Sequence, residues 1–157
     1  MADPVAKPRI ALGADHAGLH VKEIIKKYLA DSGYGVDDLG TSSDESVDYP
    51  VFARAVAERV AAGQNDFGVL ACGTGIGMAI AANKVTGIRA ANAHDAMTAR
   101  LAREHNDANV LTLGARVLDD ARAVQVVQTF LRAQFAGGRH QRRIDEITEM
   151  DEEKVKR

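Results

Sequence analysis

The sequence predicts an α/β fold, a five-stranded parallel sheet covered by helices on both faces. Short apolar runs alternate with amphipathic helical stripes, and glycine or proline stands where one pattern gives way to the next. The 157 residues are 46% hydrophobic, enough for one well-formed core, and read as a single domain over 1–157. Residues 9–13, RIALG, form the first expected strand. Val21, Ile24, Ile25, Tyr28 and Leu29 then recur at helical spacing, and the stripe ends at Gly33. Residues 35–39 read as a weaker strand, and Pro50 after Tyr49 suits the first turn of a helix running to about Ala62. A third strand at 67–71 leads into a glycine loop and its helix. A strand at 88–92, a helix at about 95–104 and a strand at 109–113 follow. Val124, Val127 and Leu131 mark the next helix face, widened by Phe130 and Phe135. Residues 1–8 are expected to be disordered. Residues 140–157, charged and with few apolar side chains, are expected to form a helical tail that docks on a neighbour or frays.

Composition narrows the function classes. A net charge of -2 leaves no basic footprint, which argues against a nucleic-acid partner. No stretch approaches the roughly 20 apolar residues that cross a bilayer, and residues 1–8 lack the apolar centre of a signal peptide. The one cysteine cannot form an internal disulfide, so a reducing cytoplasm is the expected location. No paired Cys or His spacing supports a zinc site, and no metal is expected.

In open parallel sheets, ligands bind beyond the carboxyl ends of the strands. Asp15 and His16 follow the first strand; Cys72, Gly73 and Thr74 the third; His94 and Asp95 the fourth; Gly114, Ala115 and Arg116 the fifth. His105, Asn106 and Asp107 precede the fifth strand, at the opposite end within one subunit, which points them towards a neighbour's site. Cys72 stands between an apolar strand and the alternating glycines Gly73, Gly75 and Gly77, which open a helix. The positive end of the helix dipole favours a thiolate there, and backbone N–H groups in the same loop can hold an oxyanion. Base and anion cradle together suit proton abstraction beside a carbonyl, or acyl or thiol chemistry.

Each residue has a plainer reading. A lone cysteine after a buried strand is often a small core residue, and the glycines could merely make a tight turn. Met78 occupies the third slot of a G-x-G-x-x-G pattern and no Walker-type loop is present, which disfavours nucleotide binding. His16 and His105 read equally well as surface or helix-end residues, and Arg142 with Arg143 as the start of a solvated charge run. His20, His94 and His140 read as surface residues or as supports behind a site.

Six segments in unbroken order carry a closer likeness: GADHAG (13–18), DYP (48–50), CGTGIGMAIAANK (72–84), GIRA (87–90), AREHNDANV (102–110) and GGRHQRR (137–143). Across about residues 9–147 the chain resembles the type B ribose-5-phosphate isomerases. The resemblance implies a Rossmann-like three-layer sandwich and a metal-free aldose–ketose isomerase without a cofactor. Its substrate would be a small sugar phosphate, and its active sites would be shared across a homodimer, alone or within a tetramer. It implies that Cys72 moves a proton between C1 and C2 of the open-chain sugar through an enediolate, and that His105, with Asp15, assists ring opening. Backbone around Gly73, Thr74, Gly75, Ile76 and Gly77 would hold the enediolate oxygen, with Thr74 beside the reacting centre. Tyr49, Asn106, Asp15 and His16 would position the sugar, and His16, Arg116, Arg139 and Arg143 would hold the phosphate. One branch of the family carries a glutamate where this chain has Ile76, so the likeness is to the cysteine branch. Three alternatives stay open: an isomerase of allose 6-phosphate or galactose 6-phosphate, a nucleotide-binding module of flavodoxin or universal-stress type, and a thiol-dependent hydrolase or redox protein.

Overall fold

The computed structural model describes residues 5–157. Of the N-terminal stretch expected to be disordered, residues 1–4 lie outside the described residues. Residues 5–8 are irregular, with the Lys7 ammonium 4.8 Å from the centre of the Tyr34 ring. The elements run β1 (Arg9–Ala14), α1 (Leu19–Asp31), β2 (Gly35–Asp38), α2 (Tyr49–Ala61), β3 (Phe67–Cys72), α3 (Ile76–Ala82), β4 (Ala90–Asn92), α4 (Ala96–Asn106), β5 (Val110–Gly114), α5 (Asp120–Arg132) and α6 (Arg139–Val155). The five strands form one parallel sheet in the order β2-β1-β3-β5-β4, the expected three-layer α/β architecture.

Side chains two apart on a strand point to the same face, and the two cores follow that period. On β3, Val69 and Ala71 join Ile10, Leu12, Leu111 and Leu113 beneath α1, α4 and α5, where Val21, Ile25, Leu29 and Phe130 are buried. The alternate residues Leu70 and Cys72 face α2 and α3, against Val56, Ala57 and Met78. Phe67 meets Phe130 edge-on, ring centres 5.7 Å apart. Of the stripe read on the first helix, Val21, Ile25 and Leu29 are buried, whereas Ile24 and Tyr28 are half-buried.

Three boundaries differ from expectation by two residues or more; α5 ends at Arg132, so Phe135 lies beyond the helix face it was expected to widen. The fourth strand begins at Ala90, where Asn83 takes up both backbone groups of that residue: its side chain donates to the Ala90 carbonyl (3.0 Å) and accepts the Ala90 N–H (2.8 Å). The fourth helix continues to Asn106, so His105 and Asn106 occupy its last turn. The chain leaves that helix through Asp107, whose φ of 45° is held by Arg103 Nη1 on its carboxylate (2.8 Å) and Arg89 Nη2 on its carbonyl (2.9 Å). The charged tail is helical, as expected. Ile144 is the buried residue of α6, and Asp151 accepts the Gly87 N–H at 2.8 Å. Among the described residues no helix is long and apolar enough to cross a membrane.

The strand order places the functional loops. Building outward from β1, the sheet grows through β2 on one side and β3 on the other, so the loops after β1 and β3 diverge to opposite faces and leave a crevice between them. Asp15 and His16 stand on one side of that crevice and the Cys72 loop on the other.

Candidate active site

A cavity of about 530 Å³ occupies the crevice and is lined by Asp15, His16, Tyr49, Cys72, Gly73, Thr74, Ile76, Gly77 and Arg116, together with Ala17 and Ile80. Its floor is Cys72, 5% exposed. β3 ends there, and the chain turns through Gly75 at φ 80°, a conformation that favours glycine, to enter α3. The turn brings the Gly75 N–H to Cys72 Sγ at 3.1 Å. Gly75 itself is not among the residues that line the cavity.

Flanking strands hold the loop. Cys72 and Gly73 carbonyls accept the N–H groups of Ala115 (2.8 Å) and Arg116 (2.9 Å), and the Arg116 guanidinium lies against Gly73. The Thr74 hydroxyl accepts the Ile76 N–H at 3.3 Å, and the Thr74 carbonyl accepts from Asn92 Nδ2 at 3.3 Å. Asn92 in turn accepts from Thr112 Oγ1 at 3.2 Å. Asn92 is a support that sequence reasoning missed: it lies in the fourth strand with no chemical motif around it.

Gly77 makes room for Tyr49. A Cβ at Gly77 would fall 2.5 Å from Tyr49 Cζ, inside van der Waals contact, so the phenol can lie over the first turn of α3 only because residue 77 has no side chain. Tyr49 is brought there by the α2 start, with Pro50 in the first turn as expected.

Opposite, the buried Asp15 carboxylate accepts the Gly18 N–H at 3.0 Å, which closes the turn between β1 and α1. His16 Nδ1 accepts the Val47 N–H at 3.2 Å. An imidazole nitrogen that accepts a hydrogen bond carries no proton, so this contact selects the tautomer with the ring hydrogen on Nε2.

The remaining sequence candidates lie elsewhere in the chain. His105 ends α4 and stacks on His140 of α6; Arg143 Nη1 reaches the Arg139 carbonyl at 3.4 Å, and Asn106 faces a separate groove beside α6. Val110 pairs with Gly68 and Gly114 with Cys72. Asn106, which ends α4 just before β5, therefore sits at the amino rim of the sheet and Cys72 at the carboxyl rim, with the length of β5, about 13 Å, between the two rims. One chain brings together the cysteine, the glycine loop, Asp15, His16 and Arg116. It does not bring His105, Asn106, Arg139 or Arg143 to them. Beside the cavity, Ile76 and Ile80 on α3 and Val51 on α2 are exposed. No group of three or more His, Cys, Asp or Glu side chains among the described residues is arranged to hold a metal ion.

A family model described as Ribose/Galactose Isomerase matches residues 10–147. The ribose-5-phosphate isomerase B of Escherichia coli is 46% identical, over 92% of this chain and 97% of its own. The solved structure of the Clostridium thermocellum ribose-5-phosphate isomerase B superposes with a TM-score of 0.91 at 49% identity, covering 92% of this chain and 98% of that one. The Mycoplasma genitalium ribose-5-phosphate isomerase B, solved with bound ribulose-5-phosphate, gives a TM-score of 0.90 at 46% identity, covering 92% and 97%.

Proposed function

Because the chain belongs to the ribose/galactose isomerase family, we propose that it interconverts ribose 5-phosphate and ribulose 5-phosphate, with Cys72 as the base. The observation that carries this reading is the Cys72 sulfur at the floor of the cavity, hydrogen-bonded to the Gly75 N–H. The Mycoplasma genitalium relative with ribulose-5-phosphate bound supports the substrate class.

The reaction moves one proton between neighbouring carbons. On the open-chain aldose, the Cys72 thiolate takes the C2 proton; the C2–H electrons form the C1–C2 double bond, and the C1 carbonyl pair moves onto O1. The resulting enediolate carries its charge at the glycine loop, where N–H groups of residues 73–77 oppose it. The thiol then returns the proton to C1, while the O2 hydroxyl proton passes to O1 and leaves a ketone at C2. Asp15 and Thr74 stand beside the reacting carbons, and Tyr49 orients the chain. His16, through Nε2–H, and Arg116 hold the phosphate.

The cyclic sugar must open first, which takes a donor for the ring oxygen and an acceptor for the O1 proton. His105 serves as donor, with Asp15 sharing the task, yet His105 lies at the far rim of its own sheet. A second copy therefore supplies His105 and Asn106, and with them Arg139 and Arg143 to the phosphate, in an isologous dimer with two shared sites. The exposed Ile76, Ile80 and Val51 next to the cavity supply apolar surface for that contact.

The testing experiment is Cys72→Ala. It should bind ribose 5-phosphate, but lose about two to four orders of magnitude in turnover and in exchange of the C2 proton with solvent. Ribose 5-phosphate should also protect the native thiol from iodoacetamide. Near-normal turnover by the variant would overturn the assignment.

A further inference from the structure

Lys22 is the most deeply buried ammonium of the described chain, its side chain 1% exposed, in the first turns of α1 beyond His16. Its Nζ donates to both oxygens of Asp38, at 2.7 and 2.6 Å, and lies 3.1 Å from Glu23 Oε1. Taking an ammonium out of water costs several kcal/mol, and an apolar pair in the same place often folds as well. Such a pair is better explained by what it positions than by stability.

Asp38 is the last residue of β2 and governs the chain that leaves it. Its Oδ1 also accepts the Gly40 N–H at 2.9 Å, and its Oδ2 the Lys26 ammonium at 3.0 Å. Burial pushes this carboxyl up, but the hydrogen bonds from Lys22, Gly40 and Lys26 outweigh it and hold the group below the usual carboxylate range. Past Asp38 the backbone stays stitched to β1: the Leu39 N–H donates to the Leu12 carbonyl (2.9 Å), the Ala14 N–H to Gly40 (2.8 Å) and the Thr41 N–H to Ala14 (2.8 Å). Residues 42–47 then cross to His16, where the Val47 N–H meets Nδ1. His16 and Val47 are 31 residues apart in sequence, and the bond between them depends on two loops keeping their relative place. Lys22 anchors the far side of the first loop; Asp38 anchors the root of the second.

We propose that the buried Lys22–Asp38 pair is a positioning device for His16, which locks the β1–α1 and β2–α2 loops together so that Val47 can fix the imidazole with its proton on Nε2, aimed at the substrate phosphate. The part concerning substrate rests on the reading of His16 as a phosphate donor; the part concerning the tautomer does not. Neither Lys22 nor Asp38 lines the cavity, so both act through His16.

The experiment is ¹⁵N NMR of the histidine side chains in the full chain, with His16→Gln to assign the resonance. In the native protein, Nδ1 of His16 should resonate as an unprotonated nitrogen and Nε2 as a protonated one. In Asp38→Asn the two forms should mix. The KM for ribose 5-phosphate should then rise by roughly three- to tenfold, the worth of one hydrogen bond, while the slow reaction of unphosphorylated ribose keeps its rate. Should Asp38→Asn fail to fold, the apolar double variant Lys22→Met with Asp38→Leu carries the test, with the same expectation. A folded variant with the native tautomer would overturn the proposal, because the pair would then serve the fold alone. A mixed tautomer with unchanged KM would leave the positioning intact and overturn the phosphate role of His16 instead.

Discussion

The imidazoles of His105 and His140 stack with ring centres 4.2 Å apart and planes 15° from parallel, joining the end of α4 to the start of α6. Loss of water, and then the positive charges of His105, Arg139 and Arg143, hold His140 below the usual imidazole value of 6.5. The unfolded chain thus takes up a proton at His140 in a pH range where the folded one does not. Stability from this group is present above about pH 6.5 and is lost as pH falls through the lower, folded value. An NMR titration should show His140 protonating below 6.5. His140→Gln should lose less thermal stability than the native protein between about pH 7 and pH 5. Equal losses would show that the stack carries no linked proton.

Separation of Cys72 and His105 to opposite rims of the sheet predicts complementation. Cys72→Ala and His105→Ala should each be nearly inactive alone. Exchanging subunits between them should restore up to about half of a native dimer's activity per heterodimer, since one of its two sites then carries both native residues. No recovery from heterodimers shown to have formed would mean that each chain uses its own His105.

Arg139 and Arg143 are predicted to recognise the phosphate from the second copy. Arginine offers a fixed fork of N–H groups to phosphate oxygens. Removing one such partner should weaken binding by roughly ten- to hundredfold, about 1.5 to 3 kcal/mol. Arg139→Ala and Arg143→Ala should therefore erode the preference for ribose 5-phosphate over ribose and leave the free sugar's slow rate nearly intact. Equal loss on both substrates would assign these arginines to α6 or to assembly.

Gly77→Ala tests the close approach of Tyr49. The added methyl meets the phenol ring inside contact distance, so Tyr49 must swing away from the cavity. The variant should fold, since Tyr49 is 39% exposed and has room to move, yet its KM should approach that of Tyr49→Phe or exceed it. A native KM would remove Tyr49 from the substrate's surroundings.

Much of this was legible in the chain because it depends on local period. Val69 and Ala71 against Leu70 and Cys72 reveal a strand buried on both faces, and the residues that end β1, β3 and β5 do collect at one rim. What was not legible depends on elements far apart in sequence. Lys22 sits beside an apolar stripe and looks like its solvated flank; only the pairing of β1 with β2 puts Asp38 above it. His140 reads as a surface residue until α6 folds back onto α4. Asn92 supports Thr74 only because β4 lies at the sheet edge beyond β5.

The light attachment of α6 has a consequence for cleavage. Residues 133–138 are irregular, and the helix beyond them buries Ile144 against the body and little else. Segments held by so few buried contacts open locally at a small fraction of the global unfolding free energy. A protease offered the native protein should cut first in that stretch. The larger fragment would retain Asp15, His16, Tyr49 and the whole Cys72 loop; Arg139 and Arg143 would leave with the smaller one. Alkylation of Cys72 and discrimination for the phosphorylated sugar, joined in the intact chain, would come apart in the clipped one.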